Sequence, residues 1–95
     1  MSAPAELVIE VTADDIARGV ANDCATCPIA LAARRLHPTA RIYVGGELTR
    51  EIVTYWPERA CYDMPDEAVD FVATFDEGRP VAPFTFTASR KGNRR

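Results

Sequence analysis

Two cysteines with the spacing of a redox-active pair stand out in the sequence. Cys24 and Cys27 lie three residues apart, directly before Pro28. A helix that begins at this proline would place both thiols near its N-terminus, where the helix dipole lowers a thiol's pKa. A thioredoxin-like active site, however, follows directly after a strand of a βαβ unit. A short predicted helix and the loop 19–23 precede this pair, so the pattern favours packing over redox chemistry.

The same two cysteines, with Cys61 and His37, have the composition of a Cys3His zinc site. Cys61 falls in a predicted strand, however, and Cys27 at a helix start is not the flexible knuckle typical of zinc ribbons. We therefore predict that the chain uses no metal and no cofactor. A small metal- or thiol-dependent module built on Cys24 and Cys27 is the alternative function.

The residues of the chain give little support for a hydrolytic enzyme. The chain has two serines, Ser2 and Ser89, both near its ends, so no Ser/His/Asp set can be proposed. Cys27 and His37 would sit at opposite ends of one helix, about 15 Å apart at 1.5 Å per residue. We therefore expect no catalytic residues and a protein that is not an enzyme.

The predicted last helix carries a concentration of acidic residues. Six acids and no base lie between Asp63 and Glu77, with Asp66 and Asp70 one helical turn apart. A field of one sign steers oppositely charged partners, so this surface is a candidate docking site. The alternative interpretation is the solvated side of an amphipathic helix.

The only tryptophan, Trp56, follows Tyr55 at the predicted tip of a hairpin. Exposed aromatic residues near turns are typical anchors of protein interfaces. The alternative is that Trp56 packs over the edge of the core. Tyr55, Trp56, Asp66 and Asp70 are thus the candidate partner-binding residues.

Periodicity predicts an α+β fold in the order β-α-α-β-β-β-α-β, with an antiparallel sheet of about five strands and about three helices. Residues 6–11 alternate as a half-buried strand, and Thr12 with Asp15 forms a capping box at the next helix. Pro28 belongs in the first turn of the second helix, which requires Thr26 or Cys27 as its N-cap. Gly45-Gly46 is typical of a two-residue hairpin turn, with the next strand beginning at residue 47. We predict a single domain over 1–89 and a basic, disordered tail over 90–95.

The charge distribution limits the classes of partner that the chain can bind. The chain of 95 residues has a net charge of −3, and four of its eleven basic residues lie in the last six positions. Residues 1–89 therefore carry 7 basic against 14 acidic residues, and this balance opposes nucleic-acid binding. The acidic first twenty residues do not resemble a secretory signal, and no apolar run is long enough for a membrane span. Together with three cysteines, these features predict a cytoplasmic protein with no membrane partner.

Two stretches carry a resemblance to a known group of proteins. The first is Val11-Thr-Ala-Asp-Asp-Ile-Ala-Arg-Gly19 followed by Asp23-Cys-x-x-Cys-Pro-x-Ala-Leu-Ala32. The second is Pro65-x-Glu-Ala-x-x-Phe71-x-x-x-Phe75-Asp-x-Gly78-x-Pro-Val-x-Pro-Phe84-x-Phe86. Together they cover about half of the chain and resemble small accessory proteins of actinobacteria and their bacteriophages. The resemblance implies an accessory phage product in the host cytoplasm. Together with the absent catalytic set and the acidic and aromatic surface candidates, it leads us to expect a protein that binds a bacterial host protein, with impaired host growth as one outcome. The resemblance assigns no site residue.

Overall fold

The computed structural model describes residues 4–55 and 58–91 and confirms the predicted α+β fold and its order of elements. Three helices and five strands follow one another along the chain. They are β1 (Glu6–Val11), α1 (Ala13–Arg18), α2 (Pro28–Leu36), β2 (Arg41–Val44), β3 (Glu51–Tyr55), β4 (Arg59–Asp63), α3 (Asp66–Asp76) and β5 (Phe84–Arg90).

All five strands belong to one antiparallel sheet with the spatial order β1-β5-β4-β3-β2. Alternate residues of every strand are buried, and these form one core with the buried residues of the helices. The helices therefore cover one face of the sheet. The opposite face, which we call the open face, carries the remaining strand residues.

Helix α2 contacts both edge strands, β1 and β2. The helix therefore packs across the sheet from one edge strand to the other. The buried side of α2 includes Ala30, Ala32 and Ala33, whose small side chains allow the strands to approach closely. Both edges are also tied to this region by hydrogen bonds. The Val44 amide donates to the Cys24 carbonyl at 2.8 Å, and Arg35 donates to the Glu10 carbonyl at 2.8 Å.

A network around Asp15 joins β1, α1 and α2. The Thr12 amide donates to the Asp15 carboxylate at 2.9 Å and the Asp15 amide donates to the Thr12 hydroxyl at 3.2 Å, which confirms the predicted capping box. Arg35 of α2 donates to the same carboxylate. Burial, with 3% of Asp15 exposed, would raise its pKa, but the hydrogen bonds from Arg35 and Thr12 outweigh it and the pKa lies below its usual value.

The C-terminus of α3 carries Asp76 and Glu77, although acids are unfavourable at this end of a helix dipole. Asp76 accepts a hydrogen bond from the amide of Asn22 at 2.9 Å, and its own carbonyl accepts one from the Asn22 side chain. Glu77 pairs with Arg79 at 2.7 Å. The contacts of Asp76 fasten α3 to the loop between α1 and α2.

The loop between β2 and β3 is longer than the sequence predicts. It spans residues 45–50 and β3 begins at Glu51, so Gly45-Gly46 is not a two-residue turn. A turn at those glycines would place Glu47 opposite Val44 and turn polar side chains toward the core. The observed register pairs Val44 with Ile52 instead, which keeps the core face apolar.

The structure also shows where helix α2 begins and where strand β5 ends, relative to the predicted boundaries. Cys27 is the N-cap of α2, so Pro28 occupies the first helical turn as predicted. The expected boundary at residue 89 is too early, because β5 continues to Arg90. Lys91 is also part of the fold, since its amide donates to the Cys61 carbonyl at 2.8 Å. Residues 92–95 of the predicted tail lie outside the described residues.

The aromatic side of α3 should carry a large share of the stability. Phe71 is buried and stacks on Phe84 of β5 with ring centroids 4.8 Å apart. We expect Phe71→Ala to lower the free energy of unfolding by about 3–5 kcal/mol, measured by urea denaturation, because it leaves a cavity. Asp70→Ala, at an exposed position of the same helix, should change it by about 0.5 kcal/mol or less. A loss below 1 kcal/mol in Phe71→Ala would contradict a core role for α3.

The Asp15 network should make stability depend on acid. A carboxyl whose pKa is lower in the folded state stabilises the fold above the unfolded pKa, and this contribution is lost as the pH falls through the folded pKa. Asp15→Asn should therefore cost about 1–3 kcal/mol at pH 7, and its difference from wild type should shrink below about pH 4. Denaturation of each protein between pH 7 and pH 2.5 measures its free energy of unfolding, and the exposed substitution Asp14→Asn is the control. A difference in the free energy of unfolding between wild type and Asp15→Asn that does not change with pH would refute the prediction.

Candidate functional site

The open face of the sheet brings together residues that are distant in sequence. The strand registers place Tyr55 of β3 directly between Arg41 of β2 and Arg59 of β4. The next row along the strands holds Tyr43, Val53 and Cys61. We call Arg41, Tyr43, Tyr55 and Arg59 the arginine–tyrosine patch. The adjacent strand residues Ile42, Thr54 and Ala60 are buried, so these four side chains point away from the helices.

The two tyrosines of the patch combine exposure with a defined arrangement. Tyr43 is 37% exposed and Tyr55 is 42% exposed. Their rings contact each other edge to face, with centroids 6.1 Å apart and an interplanar angle of 79°. With Thr39 and Arg41 they line a shallow depression of about 510 Å³. The patch therefore offers aromatic surface beside a guanidinium group, on strands that fix its position.

The positive charges of the patch are not neutralised by the described carboxylates. Neither Arg41 nor Arg59 forms an ion pair with any acidic residue that the structure describes. The basic residues elsewhere that do form such pairs are Arg18, Arg35, Arg50, Arg79 and Lys91. Uncompensated positive charge thus collects around the exposed tyrosines of an acidic protein.

The other end of the same face has a different electrostatic character. Lys91 lies between Glu51 at 3.3 Å and Asp63 at 3.4 Å. The hydrogen bond that Lys91 donates to Glu51, with the attraction of both carboxylates, raises the pKa of Lys91. Glu51 lies four residues before Tyr55 on β3, or about 13 Å along the strand. The open face is therefore positive at the patch and acidic, with one compensating lysine, at its far end.

The acidic residues of α3 lie on the helical side of the molecule. Asp66 and Asp70 are exposed on the helix whose opposite side is buried against the core. Asp66 forms an ion pair with Arg50, so only part of the acidic charge is free of a counterion. The structure therefore does not bring Asp66 and Asp70 together with Tyr55, which faces away on the other side of the sheet. Trp56, the remaining candidate, lies outside the described residues.

The cysteines do not converge on one point. Cys24 is exposed and Cys27 is buried as the N-cap of α2, on the helical side. Cys61 lies on the open face of β4, because the residues on either side of it point into the core. His37 is at the opposite end of α2 from Cys27. Across residues 4–55 and 58–91, no group of three or more His, Cys, Asp or Glu residues has the arrangement of a metal site.

Comparisons with protein-family models, with curated proteins and with solved structures found no match. Within the described ranges, none of the helices has the length and apolar character needed to cross a membrane.

Three members of the patch, Arg41, Tyr43 and Arg59, were not among the residues singled out from the sequence. The alternation of Arg41 and Tyr43 with buried neighbours was a signal that both face away from the core. Their position beside Tyr55 depends on the register across the loop 45–50, which the two-residue turn mispredicted. The patch therefore depends on the register between strands and not on the pattern of any one strand.

The two cysteines of the Cys-x-x-Cys motif should differ sharply in reactivity. Burial, with smaller effects of Asp76 and Cys24, raises the pKa of Cys27 to about 11. At pH 8 its thiolate fraction is then about one in a thousand, so native Cys27 should not react with a disulfide reagent. Exposed Cys24 should react, and Cys24→Ser should remove this reaction whereas Cys27→Ser should not. Mass spectrometry of the labelled native protein would contradict this if Cys27 were modified as fast as Cys24.

Proposed function

We propose that this protein is not an enzyme and acts by binding a bacterial host protein through the arginine–tyrosine patch. The observation that carries the proposal is the row of Arg41, Tyr55 and Arg59 across three adjacent strands, beside Tyr43. No described helix covers this face, so the four side chains are available to a partner.

The residue types of the patch are those that contribute most to protein interfaces. Tyrosine and arginine are enriched among interface residues whose removal costs more than 2 kcal/mol. Their positions are fixed by paired strands rather than by a loop, so little backbone order has to be gained on binding. The patch therefore fits a protein surface better than it fits a catalytic role, for which nucleophile and base must converge.

The choice of a bacterial host protein as partner comes from the sequence. The stretches 11–32 and 65–86 resemble actinobacterial phage proteins, which act inside a host cell. Such a protein would change host growth by occupying a surface that a host protein needs. The acidic residues Asp66 and Asp70 would then serve a separate contact, because they lie on the other side of the molecule.

The test compares surface variants in affinity capture from an actinobacterial lysate, followed by binding measurements on the purified retained protein. Tyr43→Thr with Tyr55→Thr removes the rings but keeps residues that favour strands. We expect this double variant to bind the partner at least about tenfold more weakly, which corresponds to about 1.4 kcal/mol. Val8→Thr is the matched control, because Val8 is 57% exposed on the same face but lies on β1.

Each variant must first show the same thermal unfolding as wild type. A retained protein that binds wild type and the tyrosine double variant equally well would refute the patch as the docking surface. Asp66→Lys with Asp70→Lys tests the acidic surface in the same assay. Loss of binding in that variant alone would place the interface on α3 instead.

A further inference from the structure

We infer that the patch recognises an acidic, extended segment of the partner, with two carboxylates on the side that faces the patch. This inference rests on the proposed function and specifies the chemistry of the same site. It also differs from the expectation that the acidic helix steers a basic partner, because the charged residues beside Tyr55 in its row of the sheet are positive.

Charge complementarity favours an acidic occupant. Arg41 and Arg59 flank Tyr55, and neither is paired with a carboxylate of the described chain. A guanidinium presents several donors in one plane and binds a carboxylate through two parallel hydrogen bonds. A basic segment would instead meet two like charges, which costs binding energy.

The geometry of the patch fits two acids with a short separation. Arg41 and Arg59 are on strands two positions apart, so their backbones are about 10 Å apart. Carboxylates two residues apart on an extended segment point to the same side and are separated by about 7 Å. Tyr55 lies between the two arginines and Tyr43 lies in the next row, so both rings are beside a segment that spans the arginines.

A protein segment fits this surface better than a nucleic-acid strand. A single strand needs a positive groove that follows many phosphates. The positive region here is limited to one row of the sheet, and the far end of the open face carries Glu51 and Asp63. With a net charge of −3, the chain as a whole also opposes a polyanion. A partner segment with two carboxylates, by contrast, needs no positive charge beyond the two arginines of the patch.

The inference can be tested with simple probes and fluorescence anisotropy. The first probe is a labelled peptide of about eight residues in which glutamate and phenylalanine alternate, and the second has lysine in place of glutamate. The third is a labelled single strand of about twelve thymidylates. We expect the glutamate peptide to bind at least about tenfold more tightly than either of the others, and to weaken at least about threefold between 50 and 300 mM salt.

Arg41→Gln with Arg59→Gln should weaken the glutamate peptide at least about tenfold. The matched control is Arg18→Gln with Arg79→Gln, which removes two exposed arginines that already have acidic partners. Equal binding of the glutamate and lysine peptides, or equal loss in the two double variants, would overturn the inference. Tighter binding of the thymidylate strand that depends on Arg41 and Arg59 would overturn it in favour of a nucleic acid.

The captured partner separates this inference from the proposed function. A partner that is lost with the tyrosine double variant but unaffected by the arginine double variant would leave the proposed function intact and refute the acidic segment. A partner that needs neither pair would refute the proposed function, whatever the peptides show.

Discussion

The side chain of Arg35 joins three parts of the fold at one point. It donates to the buried carboxylate of Asp15, which caps α1, and to the Glu10 carbonyl on the edge of β1. It thereby fixes α2 against one edge of the sheet, while the Val44 amide bonds the other edge to the loop before α2. This placement puts α2 on one face of the sheet and leaves the opposite face without a described helix.

Helix α2 is joined to both edge strands of the sheet. One hydrogen bond links the β2 edge to the loop before α2, and one links the β1 edge to Arg35. On the helical side, several charges already have partners, as in the pairs of Asp15 with Arg35 and of Asp66 with Arg50. The open face has the exposed rings of Tyr43 and Tyr55 and two guanidinium groups, those of Arg41 and Arg59, without an ion pair to any described carboxylate. The packing of the helices on one face therefore leaves the proposed binding patch exposed on the other.

Local sequence signals predicted local structure well. The capping box of Thr12 and Asp15 and the early turn position of Pro28 depend on residues within four positions of each other, so no tertiary knowledge was needed. The contact of Asn22 with Asp76 joins residues 54 positions apart, and no local rule indicates it. The sequence did not predict the patch for a similar reason. An error in the length of the loop between β2 and β3 shifts the predicted register of these two strands. Long-range pairing, rather than element type, limited the prediction of the site.

The same loop shows why strands make a better binding surface in a small domain. Leu48, near the tip of the loop 45–50, is 98% exposed, so it has an apolar side chain fully available to a partner. Yet such an exposed side chain must lose rotamer freedom when it binds, and this loss reduces the affinity. Tyr55 sits on a strand with neighbours on both sides, and its ring already contacts Tyr43. Because folding has already ordered these groups, more of their contact energy remains for recognition.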